Sequence, residues 1–112
     1  MQLVDQIREI LDDSKASDIQ VLDVRSMTSV TDYMVICSGT SGRHVSSLAS
    51  KLMETLKQKQ QIAPLHYDGM STAEWVLVDY VDVVVHIMRP ETRAFYNLEG
   101  LWGQPALAAK QQ

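Results

Sequence analysis

Apolar residues recur at helical spacing in two stretches of the chain. The first stretch predicts an amphipathic helix that ends near residues 14–17, with apolar positions at Val4, Ile7, Ile10 and Leu11. The second predicts a helix over residues 43–59, with an apolar stripe formed by Val45, Leu48, Ala49, Leu52, Met53 and Leu56. Elsewhere the helical spacing gives way to short runs of β-branched and aromatic residues, which are typical of strands.

The strand signals consist of a first pair, a short third strand and a hairpin. Residues 19–24 and 33–37 form the first pair, and the second of these runs is continuously apolar, as in a central strand buried on both faces. A short strand is predicted over residues 65–67. Residues 75–80 and 83–88 give the two strongest strand signals of the chain and predict the hairpin.

A last short helix is predicted after the hairpin. We expect Pro90 to end the preceding strand and Thr92 to cap the helix, which carries on one side Phe95, Leu98 and Leu101. The element order is therefore αββα(β)ββα. Helices interspersed with strands predict an α/β (α+β) protein, with a mixed β-sheet flanked by helices.

Alternation of side chains divides the hairpin into two faces. In a tight turn at Val81, odd residues of the first strand share a side with even residues of the second. One side, the core face, is almost purely β-branched and consists of Val76, Val78, Tyr80, Val83, Val85 and Ile87. The other side, the mixed face, consists of Trp75, Leu77, Asp79, Val84, His86 and Met88. The mixed face is either partly exposed as a binding patch or covered by the C-terminal helix, and the pattern leaves both arrangements open.

Composition narrows the class of protein. The length of 112 residues and a hydrophobic content of 46% suit one domain with one core, expected over residues 1–102, with a frayed tail over residues 103–112. A single cysteine, Cys37, cannot form an intramolecular disulfide and favours a reducing compartment. The net charge of −4 is unlike that of most nucleic-acid-binding proteins, so we expect no DNA partner. The longest apolar run, residues 83–88, is too short to cross a membrane, so we expect a cytoplasmic protein without a membrane partner.

The candidate catalytic and metal-binding patterns are all weak. Cys37 and His44 lack a third residue that would orient them, and the histidines have no metal-ligand spacing. The loop of small residues 38–42 precedes a helix, as phosphate-binding loops do, but it lacks the P-loop lysine. Asp79 and Asp82 flank a turn instead of sharing a face. We therefore expect no catalytic residue, no cofactor and no metal.

An ordered set of short motifs runs through nearly the whole chain, about residues 3–102. They are Asp23-Val24-Arg25, Thr31-Asp32-Tyr33, Cys37-Ser38-Gly39-Thr40-Ser41 with Arg43-His44-Val45, Trp75 to Tyr80 with Asp82 to His86, and a C-terminal set of Arg93, Phe95-Tyr96, Leu98-Glu99 and Leu101-Trp102. In this order they resemble the ribosomal silencing factor family, also called the Iojap-like family. No single motif is decisive, but the ordered set is highly specific.

The resemblance implies a nucleotidyltransferase-like fold without established catalytic activity. It also implies a function: binding of the large ribosomal subunit through ribosomal protein L-fourteen on the intersubunit face. Joining of the small subunit would thereby be blocked, and translation repressed when nutrients are short. The alternatives are a divergent nucleotide-binding enzyme that uses residues 38–42, and a scaffold that forms a homodimer through the open sheet.

The partner surface implied by the resemblance maps best onto the mixed face. We expect partner contacts from Trp75, Leu77, Asp79, His86 and Met88, with Tyr80, Asp82 and Met70 as second choices. Trp75 is the expected apolar anchor, because tryptophan is enriched among residues that dominate binding energies. Three positions depart from the family pattern: Asp68 where Glu is frequent, Met88 where many members have Phe, and Val81 where Gly is usual. A β-branched residue disfavours positive φ, so Val81 leaves the turn type open.

Overall fold

The computed structural model describes residues 2–102, and the predicted tail over residues 103–112 lies outside the described residues. The elements are α1 (Leu3–Asp13), β1 (Ser17–Asp23), β2 (Tyr33–Ser38), α2 (Gly42–Gln60), β3 (His66–Asp68), β4 (Trp75–Asp79), β5 (Val83–Met88), α3 (Pro90–Tyr96) and α4 (Leu98–Trp102). The predicted order is confirmed, except that the last helix is two short helices. They are separated at Asn97, whose φ of 49° is left-handed.

The strands form one mixed sheet in the order β1-β2-β5-β4-β3. β2 pairs with β5 in parallel, and the other neighbours are antiparallel. β2 is buried on both faces, as its continuous apolar sequence predicts. The hairpin register pairs Trp75 with Met88, Leu77 with His86 and Asp79 with Val84, which confirms the predicted division into two faces.

Helices α1 and α2 cover the core face. All six of its residues belong to one buried cluster, together with apolar residues of both helices that include Ile7, Leu11, Leu48 and Leu52. Burial of these side chains is the main source of stability, at roughly 1.5–3 kcal/mol for each large aliphatic group.

The loop of small residues before α2 is explained by local geometry. Ser41 is the N-cap of α2, and its hydroxyl accepts a hydrogen bond from the His44 N–H at 3.2 Å. A Cβ on Gly39 would lie 2.8 Å from Cγ2 of Val45, so only glycine permits the close approach of strand and helix. At the other end of α2, Gln61 is left-handed, and the N–H groups of Gln61 and Ile62 donate to the carbonyls of Lys57 and Leu56, which satisfies two of the last carbonyls of the helix.

Helices α3 and α4 lie on the mixed-face side of the sheet. α3 begins at Pro90, whose fixed φ suits the first helical position, and its N-cap is Arg89. The prediction that Thr92 caps this helix is therefore wrong, because Thr92 lies inside the first turn. The predicted apolar side is also largely unpacked, since Phe95 is 80% and Leu101 is 64% exposed.

A buried arginine connects the C-terminal helices to the sheet. Arg93, on α3, is only 6% exposed. Its guanidinium donates to the Ser38 hydroxyl at 2.9 Å and to the Glu99 carboxylate at 3.0 Å. Asp18 of β1 lies 3.6 Å away from it. One side chain therefore links α3, α4, β1 and β2, and paired charges satisfy a group that would be costly to bury alone.

The hairpin turn contains a strained valine. Val81 has a φ of 74°, and the Asp82 N–H donates to the Tyr80 carbonyl at 2.9 Å, which forms the strained type of γ-turn. The Asp79 carboxylate accepts a hydrogen bond from the Val81 N–H at 2.8 Å and helps to hold this conformation. The departure from the family pattern at Val81 is thus accommodated by strain in a tight turn.

Replacing Val81 with glycine should relieve this strain. A positive φ costs a β-branched residue roughly 1–2 kcal/mol, part of which is offset by the greater entropy of an unfolded glycine. We expect Val81→Gly to raise the free energy of unfolding by about 1 kcal/mol in urea titrations. Val30→Gly, at an 80% exposed valine without positive φ, is the matched control and should lower it. Equal changes in the free energy of unfolding for the two variants would contradict the presence of strain at Val81.

Removing the Arg93 side chain should destabilise the protein. Arg93→Ala leaves Glu99 without its main partner and opens space beneath α3, so we expect a loss of about 3 kcal/mol of unfolding free energy. Arg25→Ala is the control, because Arg25 has an even closer ion pair with Asp23, at 2.6 Å, but both side chains are exposed. Chemical denaturation that gives the two variants the same midpoint would show that burial of the Arg93 network contributes nothing.

Candidate functional site

The mixed face is divided between an open half and a covered half. The covered half consists of Met88, which is fully buried, and His86, which is 6% exposed. The open half consists of the other four residues, which are half-buried: Trp75, Leu77, Asp79 and Val84. Both arrangements that the sequence left open therefore occur, on different parts of the same face. His86 and Met88, two of the residues expected to contact a partner, are buried and do not present their side chains on this surface. The assignment of the face to a partner stays a prediction.

Trp75 is held in place from two sides. Its indole N–H donates to Nδ1 of His86 at 3.0 Å, and its ring centroid lies 4.9 Å from that of Tyr96 on α3. Trp75 therefore has a fixed ring at the border between the open and the covered half. A fixed aromatic side chain that is still half-exposed is suited to act as an anchor in an interface.

His86 is neutral when it accepts the hydrogen bond from Trp75. Burial lowers the pKa of His86 to about 4, because the low-dielectric surroundings disfavour the charged ring. Acceptance of the indole hydrogen bond by Nδ1 places the proton of the neutral ring on Nε2. Within residues 2–102, Nε2 has no hydrogen-bond partner.

Strand β3 adds two residues to the open half that sequence reasoning missed. Asp68 pairs with Leu77 and His66 pairs with Asp79, so both lie on the same side of the sheet as the mixed face. Both are exposed. The available signal was the short strand itself, but three residues do not define a register without the structure.

A slot opens where β3 turns towards β4. It has a volume of about 280 Å³ and is lined by Asp68, Gly69, Trp75 and Leu77. Gly69 has a φ of 92°, and a Cβ there would collide with the Trp75 carbonyl, so the turn brings the two backbones together. The walls are largely apolar, and a carboxylate lies at the edge.

The second-choice residues lie apart from the open half. Tyr80 is on the core face and 6% exposed, and burial raises the pKa of its phenol to about 12. Met70 is partly buried against the core cluster. Asp82 is exposed at the turn, where its backbone carbonyl accepts the N–H groups of Asp32 and Tyr33.

The open half carries uncompensated negative charge. Among residues 2–102, Asp68 and Asp79 form no ion pair. Asp79 uses one carboxylate oxygen for the Val81 N–H. This arrangement can attract a cationic group from a partner without first breaking an internal salt bridge.

The candidate catalytic groups have structural roles. Cys37 is fully buried, and burial raises the pKa of its thiol to about 12, so it does not supply a thiolate. His44 is bonded to the Thr40 N–H at 2.9 Å and to the Ser14 carbonyl at 3.3 Å. In the described part of the chain, no group of three or more His, Cys, Asp or Glu residues could hold a metal ion. No helix within residues 2–102 has the length and hydropathy needed to span a bilayer.

The buried His86 should make stability depend on pH. Its pKa is about 4 in the folded protein and about 6.5 when unfolded, so the unfolded state binds the proton first as the pH falls. Its contribution is complete above pH 6.5 and is lost progressively towards pH 4. Between pH 7 and pH 5 the unfolding free energy should decrease by about 2 kcal/mol from this group. Between pH 7 and pH 5, the unfolding free energy of His86→Leu should therefore decrease by about 2 kcal/mol less than that of wild type. Equal decreases in the two proteins would contradict the assignment of this pH dependence to His86.

The whole chain, residues 1–112, matches the sequence family described as ribosomal silencing factor during starvation. It is 43% identical over 102 residues to the ribosomal silencing factor of Haemophilus influenzae, covering 91% of this chain and 99% of that protein. It is 40% identical over 97 residues to the factor of Bacillus subtilis, covering 87% and 81% of the two chains. A crystal structure of a Chromobacterium violaceum protein superposes with a TM-score of 0.82 at 37% identity, covering 91% of this chain and 88% of that one. This chain therefore belongs to the ribosomal silencing factor family.

Proposed function

We propose that this protein represses translation by binding ribosomal protein L-fourteen on the intersubunit face of the large ribosomal subunit. Bound there, it blocks joining of the small subunit when nutrients are short. Family membership supports a role in ribosome silencing. A mouse relative, 38% identical over 101 residues, is named for mitochondrial assembly of the large ribosomal subunit, and that name supports the choice of subunit.

The observation that carries the proposal is the half-buried Trp75, which lies beside Leu77 on a side of the sheet that also carries Asp68 and Asp79. Apolar area at Trp75 and Leu77 supplies the binding energy, because burial of aromatic and aliphatic surface dominates association. Asp68 and Asp79 meet cationic groups of a basic ribosomal protein. His86 and Met88 act from beneath, as the packed support of the exposed residues.

The proposed mechanism is steric exclusion, not catalysis. The protein forms and breaks no bond; it occupies a surface that the small subunit needs. Activity then depends on affinity and on the amount of protein, and it requires neither nucleotide nor metal. The proposed site of action is the cytoplasm, where the ribosomal subunits join.

Trp75→Ala should weaken binding to isolated large subunits. Loss of a central aromatic anchor costs about 2 kcal/mol or more, which is roughly thirtyfold in Kd. Co-sedimentation at a series of protein concentrations measures this shift. Tyr67→Ala is the matched control, because Tyr67 is an aromatic residue of the adjacent strand, 53% exposed, that pairs with Val78 of the core face and thus lies on the opposite side of the sheet.

Subunit joining provides the functional readout for the same variants. Small subunits are added to the loaded large subunits, and the fraction of complete ribosomes is measured by gradient centrifugation. Wild type and Tyr67→Ala should prevent joining, whereas Trp75→Ala should permit it at the same concentration. If Trp75→Ala retains its fold and blocks joining as well as wild type, the mixed face is not the ribosome-binding surface.

A further inference from the structure

The slot beside Trp75 has the features of a subsite for a single side chain. It opens between the Asp68-Gly69 turn and β4, and its volume is about 280 Å³. We infer that this slot receives one lysine or arginine side chain of the ribosomal partner, an inference that rests on the proposed function. The aliphatic stem lies against Trp75 and Leu77, and the cation pairs with Asp68.

The walls of the slot suit a long aliphatic stem that ends in a cation. Trp75 and Leu77 are half-buried and provide apolar surface. Lysine and arginine bury their methylene stems along such surface while the charged end stays near water. The indole ring adds an attraction for a cation near its face.

The slot is formed before a partner binds. His86 and Tyr96 fix the Trp75 ring, as described above. Asp68 is fixed as well, since its Oδ1 accepts the Gly69 N–H at 2.8 Å. A preformed site loses less conformational entropy on binding, so a single side chain can contribute measurably.

The charge at the mouth selects a cation. Asp68 is exposed and forms no ion pair with any residue in the range 2–102. Asp79 lies further along the same side of β4 and adds negative potential. These carboxylates would repel a phosphate, so the occupant is a protein side chain and not the backbone of ribosomal RNA.

Asp68→Asn tests the subsite with little disturbance of the fold. Asparagine keeps the oxygen that accepts the Gly69 N–H and removes only the charge. We expect about fivefold weaker binding to isolated large subunits at 50 mM KCl, and a smaller difference at 300 mM, because salt screens the lost ion pair. Asp68→Glu should keep most of the affinity. Asp12→Asn is the control, because Asp12 is exposed on α1, which packs against the core-face side.

Three outcomes are distinguishable. A salt-dependent loss for Asp68→Asn, with Asp12→Asn unchanged, supports the cation subsite. Equal affinity of Asp68→Asn, Asp12→Asn and wild type, with Trp75→Ala still defective, overturns the subsite and leaves the proposed function intact. A wild-type chain that does not sediment with large subunits overturns the proposed function and the subsite with it. Melting temperatures of the variants show that the changes in affinity are not losses of folded protein.

Discussion

The parallel pairing of β2 with β5 at the centre of the sheet is the constraint on which the architecture depends. Both strands are buried on both sides, so the sheet must be covered twice. The core face has two long helices, α1 and α2, of 11 and 19 residues. Within residues 2–102, the opposite side has α3 and α4, of only 7 and 5 residues. α4 packs against β1, while α3 reaches the end of β2 through Arg93 and the start of β4 through Tyr96. Strand β3 stays exposed, and Leu77 and Asp79 of β4 are only half-buried. The candidate site is the part of the sheet that the helices of residues 2–102 leave uncovered.

The short cover is fixed in place by polar contacts more than by apolar ones. Phe95 and Leu101 point largely into solvent, so α3 and α4 bury little apolar surface of the kind that holds α1 and α2. The Arg93 network compensates, because its hydrogen bonds and ion pairs reach Ser38, Glu99 and Asp18 at once. Directional contacts of this type also define where a helix lies, which uniform apolar packing does less well. Arg93 reaches Ser38 of β2, and Tyr96 of the same helix packs on Trp75, so these two contacts together place α3 at the border of the open half.

Much of the fold follows from the sequence because two periodicities determine it. Alternation with a period of two, together with one turn, assigns each residue of β4 and β5 to a face without knowledge of the rest of the chain. The exposure of those residues does not follow in the same way. Exposure depends on how the C-terminal helices dock on the sheet, through contacts such as that of Arg93 with Ser38, which are 55 positions apart in the chain. The contributions of Asp68 and His66 depend on the register of a three-residue strand, and so few positions carry no periodic signal. The prediction of Thr92 as a cap failed because Pro90 itself satisfies the requirements of a helix start.

The covered residues of the mixed face have a role other than direct contact with a partner: they support the residues that are exposed. His86 and Met88 are too buried to touch a partner as the surface stands, yet His86 positions the indole of Trp75 through one hydrogen bond. An anchor held in this way loses little rotational freedom when it is buried, so the cost of ordering it is met during folding and not during binding. A neutral, buried histidine is suited to this role, because a protonated ring could not accept the indole hydrogen bond at Nδ1. The Trp75–His86 pair therefore connects the folding of β4 onto β5 with the shape of the surface that a partner meets.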